Sequence, residues 1–159
     1  MKTASLKEIK TELNLLHPNR VMELCIQMAK FRKENKELLA YLLFEADNEN
    51  TYIENVKIQI DELFEEINKS NIYFAKKTIR KILRNTNKYI KYSGSKQTEV
   101  ELLLHFCKRL KNLGIPLPPN SALGNIYQRQ LKKIHQAMAT LHEDLQFDYS
   151  KEFSLINCI

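Results

Sequence analysis

The stretch that decides the fold is residues 53–67, IENVKIQIDELFEEI, in which apolar side chains recur every three or four positions. That spacing places them on one face of an α-helix. Residues 72–89, IYFAKKTIRKILRNTNKY, repeat the spacing after a short connection at 68–71. Two amphipathic helices joined so closely pack their apolar faces together. The sequence therefore predicts an antiparallel helical hairpin.

The same spacing continues on both sides of this hairpin, and strict polar–apolar alternation is rare. We therefore predict an all-α protein of about seven helices in antiparallel hairpins, forming either a short HEAT-like right-handed superhelix or a compact helical bundle. The third helix is apolar on almost every side and is expected to be the most buried. The predicted helices cover about residues 5–16, 18–33, 35–46, 50–69, 71–92, 96–113 and 121–147.

The chain of 159 residues is expected to form a single helical domain over 1–159. Its predicted parts are six helices in 1–114, a proline-rich connection at 115–120, and a last long helix and tail at 121–159, of which the apolar tail at 148–159 is expected to dock. Three glycines and four prolines argue against turn-rich β folds. Residues 1–8 lack the apolar core of an export signal, and no apolar run is long enough to span a membrane. With three widely spaced cysteines, this predicts a reduced, cytoplasmic protein.

Positive charge is concentrated in one predicted helix. The chain carries +6 overall, but residues 71–92 hold seven cationic and no acidic side chains, so the remainder sums to −1. At about 100° per residue these cations fall opposite the apolar face, along about 22 Å of helix. We call them the basic stripe: Lys76, Lys77, Arg80, Lys81, Arg84, Lys88 and Lys91.

Aromatic and hydroxyl side chains adjoin the basic stripe. Tyr73 lies within it and Tyr92 borders it, a combination suited to phosphates and stacked bases. Ser93, Ser95 and Lys96 surround the start of the next helix, where free backbone amides favour a phosphate. A solvated lysine face and a docking surface for an acidic protein explain the same charge, so these interpretations stay open beside a phosphate-bearing ligand.

The sequence contains no pattern typical of a catalytic or metal site. Its four histidines lack the ligand spacing of zinc or helical di-iron centres. Phosphate-binding loops, nucleophile elbows and dinucleotide fingerprints are absent. The carboxylates of residues 61–66 are predicted to form a solvated acidic face. We therefore expect no enzymatic activity, no catalytic residue, no metal and no cofactor.

Two segments around the basic stripe, YFAKKTIRK at 73–81 and YIKYSGSKQTE at 89–99, resemble a family of small all-helical bacterial proteins of the Bacteroidetes type. The resemblance covers about residues 1–115. It implies a bacterial helical domain of HEAT-like form. That family has no assigned function, so no site residue follows from it.

Two functions fit these observations. The first is a non-enzymatic helical scaffold for protein–protein interaction, which requires an exposed apolar patch or groove. The alternative is a nucleic-acid-binding module that uses the basic stripe with Tyr73 and Tyr92. The alternative requires the stripe to be exposed and not neutralised by neighbouring acids. A membrane is not expected as a partner, and the oligomeric state is left open.

Overall fold

The computed structural model describes residues 2–157, whose regular structure is entirely helical, so the predicted all-α class is confirmed. Its contacts group the chain into two compact units that divide after Phe44. The described range contains eight helices: α1 (Leu6–Leu15), α2 (Pro18–Phe31), α3 (Lys33–Phe44), α4 (Glu49–Glu65), α5 (Ile72–Ser93), α6 (Lys96–Asn112), α7 (Ala122–Met138) and α8 (Glu143–Asn157).

Local sequence signals explain where several helices begin and end. Ser5 caps α1, and the Glu8 carboxylate accepts a hydrogen bond from the Ser5 backbone N–H at 2.7 Å, which completes a capping box. Pro18 opens α2 at a position where its missing N–H is not needed. Gly94 ends α5 with a φ of +68°, a left-handed conformation that favours glycine.

The second unit is built around α6. This helix packs against α4, α5, α7 and α8, which makes the unit a compact helical bundle. Its completely buried side chains include Phe106, Cys107 and Leu110. Helix α4 contributes Ile53, Val56 and Ile60 to the same core, as its apolar spacing predicted.

The expectation that the third helix is the most buried was wrong. Tyr41 is the one buried residue of α3, while Phe44 is 81% exposed and Leu43 62% exposed. Within its unit α3 pairs with α2. Each helix of such a pair can cover only one face of the other, so an all-round apolar helix keeps exposed apolar side chains.

The predicted last helix is divided in two. Helix α7 ends at Met138, and the Thr140 hydroxyl donates to the Ala137 carbonyl oxygen at 2.7 Å in the turn that follows. Helix α8 then packs on α6 and α7. The buried Tyr127 hydroxyl donates to the Ile156 carbonyl oxygen at 2.7 Å, so the tail docks as expected up to Asn157. Ile159, which also suggested docking, lies outside the described residues.

Candidate nucleic-acid interface

Helix α5 presents the basic stripe because its opposite face is needed for the core. The side chain of Asn71 caps the helix by accepting hydrogen bonds from the Tyr73 and Phe74 N–H groups at 3.1 and 3.3 Å. Four residues at helical spacing are buried on its inner face: Ala75, Ile79, Ile82 and Thr86. The cations lie on the other side of the same helix.

Most of the basic stripe is exposed and unpaired. Lys76 and Lys88 are half-buried. The other five members are exposed, and ion pairs within residues 2–157 involve none of them. Those five are Lys77, Arg80, Lys81, Arg84 and Lys91. Their charges therefore act on the solvent together rather than cancelling against neighbouring carboxylates.

Lys88, near the C-terminal end of the stripe, is engaged within the chain. The Lys88 ammonium lies 4.9 Å from the centre of the Tyr89 ring and 5.9 Å from that of Tyr92. The two rings meet edge to face, with centroids 6.1 Å apart. Tyr92 is half-buried in this arrangement, so it is less accessible for stacking than the sequence suggested.

The residues after the stripe also have partners within the chain. The Ser93 and Thr98 hydroxyls both donate to the Glu49 carboxylate. Ser95 caps α6, and Lys96 pairs with Glu99 at 2.6 Å. The carboxylates of Glu49 and Glu99 thus lie beside the residues for which a phosphate was predicted.

Two aromatic side chains lie open at the N-terminal end of the stripe. Tyr73 is 71% exposed and Phe74 is 54% exposed. Their rings meet edge to face with centroids 5.6 Å apart. The structure therefore retains Tyr73 beside the stripe as the sequence predicted.

A polar cluster between α4 and α6 was missed. The Lys57 ammonium lies 3.0 Å from the Glu101 carboxylate, and His105 lies 2.7 Å from Asp61. Arg109 pairs with Glu65. Asp61 is half-buried beside His105, whereas Glu65, although it pairs with Arg109, is exposed like the rest of the predicted acidic face. The available signal was a pair of polar rows, at 57, 61, 65 and at 101, 105, 109, each with a spacing of four.

Glu101 is the most connected member of this cluster. It accepts hydrogen bonds from Lys57, from the Tyr149 hydroxyl at 2.7 Å and from Gln97 at 3.2 Å. Burial raises the pKa of Glu101, but these hydrogen bonds outweigh it and leave the pKa below its ordinary value. Burial likewise raises the pKa of Tyr149, and the hydrogen bond to Glu101 raises it further. The cluster lines a groove of about 340 Å³ and stabilises the contact of α4, α6 and α8.

Within residues 2–157, no group of three or more His, Cys, Asp or Glu side chains is placed to hold a metal ion. None of the helices described combines the length and the apolarity needed to cross a membrane. Comparisons of the chain with known protein families, curated proteins and solved structures found no match. The resemblance to a bacterial helical family stays a prediction.

Proposed function

We propose that this chain is a non-enzymatic helical protein that binds the phosphate backbone of a nucleic acid along α5. The observation that supports the proposal is the exposure of Lys77, Arg80, Lys81 and Arg84 on one helical face without an acidic partner in the described range. Cations in such a row displace the counterions that surround a nucleic acid, and this release drives binding.

The dimensions of the stripe suit this ligand. Its length of about 22 Å spans about six base-pair steps along the axis of a duplex, at about 3.4 Å each. The exposed members are long, flexible side chains that reach phosphates by small rotamer changes. Binding of this kind recognises charge and spacing rather than sequence.

The proposal is tested by fluorescence anisotropy with labelled single- and double-stranded oligonucleotides of about 20 nucleotides, at about 50 and about 200 mM salt. We expect a dissociation constant below about 10 µM at the lower salt concentration. Four to five phosphate contacts predict a loss at the higher salt concentration of about 50- to 130-fold for a single strand and about 150- to 500-fold for a duplex. The triple variant Lys77→Glu/Arg80→Glu/Lys81→Glu is expected to abolish binding.

The matched control is Arg129→Glu/Lys132→Glu/Lys133→Glu on α7. It replaces the same numbers of lysines and arginines, also at exposed positions, so the net charge changes equally. We expect this control to retain most of the binding. Equal losses in both variants would contradict a role for the stripe, as would the absence of binding at low salt. Binding of a labelled poly-glutamate peptide in place of oligonucleotides would assign the stripe to an acidic protein.

A second candidate function, protein–protein interaction, is favoured by a separate observation in residues 2–44. Helices α1 and α2 bury no residue, and large apolar side chains remain exposed on α2 and α3. These include Met22, Met28, Phe31, Leu42 and Leu43. Large apolar side chains left in solvent are typical of sites where proteins associate.

This second function predicts a partner whose binding depends on the apolar side chains and not on the stripe. A protein captured from lysate by the full chain is identified, purified and titrated against Phe31→Ser/Leu43→Ser and against the triple stripe variant. Loss of affinity only in the former supports the scaffold function. Loss only in the stripe variant would reject this surface as the docking site.

A further inference from the structure

We propose that the nucleic acid is single-stranded and that Tyr73 stacks on one of its bases. This inference rests on the proposed function of the basic stripe. It starts from the exposed Tyr73–Phe74 pair, since both rings stay largely in solvent at the N-terminal end of the helix that carries the basic stripe. Apolar rings left in water have a surface area that a ligand can cover.

The position of Tyr73 connects base stacking with phosphate binding. Tyr73 precedes Lys77 by four residues, so the ring lies one helical turn from the first exposed cation on the same face. Arg80 and Arg84 follow on that face. A strand whose phosphates follow the cations therefore brings a base to the ring at the end of the row.

The arrangement favours a single strand over a duplex, because a single strand can contact the cations and the Tyr73 ring together. In a duplex the bases are already stacked inside, and unstacking one step costs a few kcal/mol. In a single strand the faces of the bases are accessible, and an aromatic side chain beside a cationic groove binds them with little regard to sequence. The phenol ring thus gives the stripe a preference for single strands over duplexes, which its charges alone do not provide.

The experiment compares Tyr73→Ala with wild type on labelled single-stranded and duplex DNA of about 20 nucleotides at about 50 mM salt. We expect single-strand affinity to fall about tenfold and duplex affinity to change by less than about twofold. Tyr73→Phe retains the ring and is expected to bind like wild type. Circular dichroism checks that each variant is folded.

Phe147→Ala is the matched control. Phe147 is also exposed on a helix, and the Lys151 ammonium lies 4.5 Å from its ring centre, but it lies on α8 outside the stripe. We expect no change in affinity for either ligand. An equal loss in Phe147→Ala would show that any exposed aromatic contributes and would overturn the assignment to Tyr73.

The two proposals fail in different ways. If Lys77→Glu/Arg80→Glu/Lys81→Glu binds both ligands like wild type, the proposed function itself is wrong. If that variant loses binding but Tyr73→Ala does not, only stacking is wrong. An equal loss on single strand and duplex in Tyr73→Ala, or a tenfold loss in Tyr73→Phe, also overturns stacking, because the ring then does not act through an exposed base.

Discussion

The Lys57 ammonium lies 3.0 Å from the Glu101 carboxylate, although the two residues are 44 positions apart in the chain. The same separation of 44 relates Asp61 to His105 and Glu65 to Arg109. A constant separation means that α4 and α6 run parallel and in register. Helix α5 lies between them in the sequence, runs in the opposite direction and packs against both.

Replacing Glu101 is expected to destabilise this contact. Glu101→Gln removes the charge that Lys57 and Tyr149 face, and leaves the partly buried ammonium paired with the largely exposed Glu54 carboxylate, 2.7 Å away. Removal of a hydrogen bond to a charged group predicts a loss of about 1–3 kcal/mol in the free energy of unfolding. Urea denaturation at about pH 7 measures this loss in the free energy of unfolding. The control is Glu62→Gln at an exposed position, which is expected to have a free energy of unfolding within about 0.5 kcal/mol of wild type.

The destabilisation by Glu101→Gln is also expected to depend on pH. Because the folded pKa of Glu101 lies below the ordinary value of 4.5, its ionised form stabilises the protein above that pH. The contribution is lost as the pH falls through the lower folded pKa. The difference between wild type and variant should therefore shrink towards about pH 3. If the free energies of unfolding of wild type and variant differ by the same amount at about pH 7 and about pH 3, an ionic role for Glu101 is contradicted.

The sequence predicted the helices far better than it predicted their partners. Helix ends depend on local features, so they could be predicted from the sequence. Examples are the caps at Ser5, Ser95 and Ser121 and the left-handed Gly94. The exposed face of α5 followed from periodicity alone. Periodicity shows which face of a helix is polar or apolar, but not which helix meets it. That is why the pairing of Asp61 and the exposure of Phe44 were not predicted.

Gly124→Ala is expected to destabilise the second unit, although alanine favours helices over glycine by about 1 kcal/mol. A Cβ atom at Gly124 would lie 2.2 Å from the Pro118 carbonyl oxygen, and that oxygen belongs to the backbone. Displacing it predicts a net loss of about 1–3 kcal/mol in the free energy of unfolding. Thermal or urea unfolding measures the change. As a control, Asn125→Ala at the neighbouring exposed position should leave the free energy of unfolding almost unchanged. A Gly124→Ala variant more stable than wild type would show that the backbone of the connection at 115–120 can move away from the added Cβ atom at little cost.

Tyr127→Phe is expected to loosen α8 more than the rest of the bundle. The variant keeps the buried ring but leaves the Ile156 carbonyl without its hydrogen bond of 2.7 Å. A loss of about 1–3 kcal/mol follows from an unsatisfied buried acceptor. Hydrogen exchange should show faster exchange across residues 143–157 than in α6. Uniform acceleration in both helices would mean that α8 does not open by itself.

Cys25 and Cys107 are expected to differ in reactivity. Cys107 is buried in α6, and burial raises the pKa of its thiol to about 12, whereas Cys25 is exposed. Because the thiolate is the reactive form, brief alkylation at about pH 8 should modify Cys25 and spare Cys107. Peptide mapping by mass spectrometry separates the two, and alkylation in denaturant should modify both. Modification of native Cys107 at the rate of Cys25 would contradict its burial.

The central position of α6 has a consequence for synthesis of the chain on the ribosome. Helices α4 and α5 emerge before α6, and the helix that covers their apolar faces is completed only at Asn112. At about 5–20 residues per second, the α4–α5 hairpin waits for about 1–4 seconds with that surface uncovered. That uncovered apolar surface is the part of the hairpin most prone to aggregation until α6 arrives.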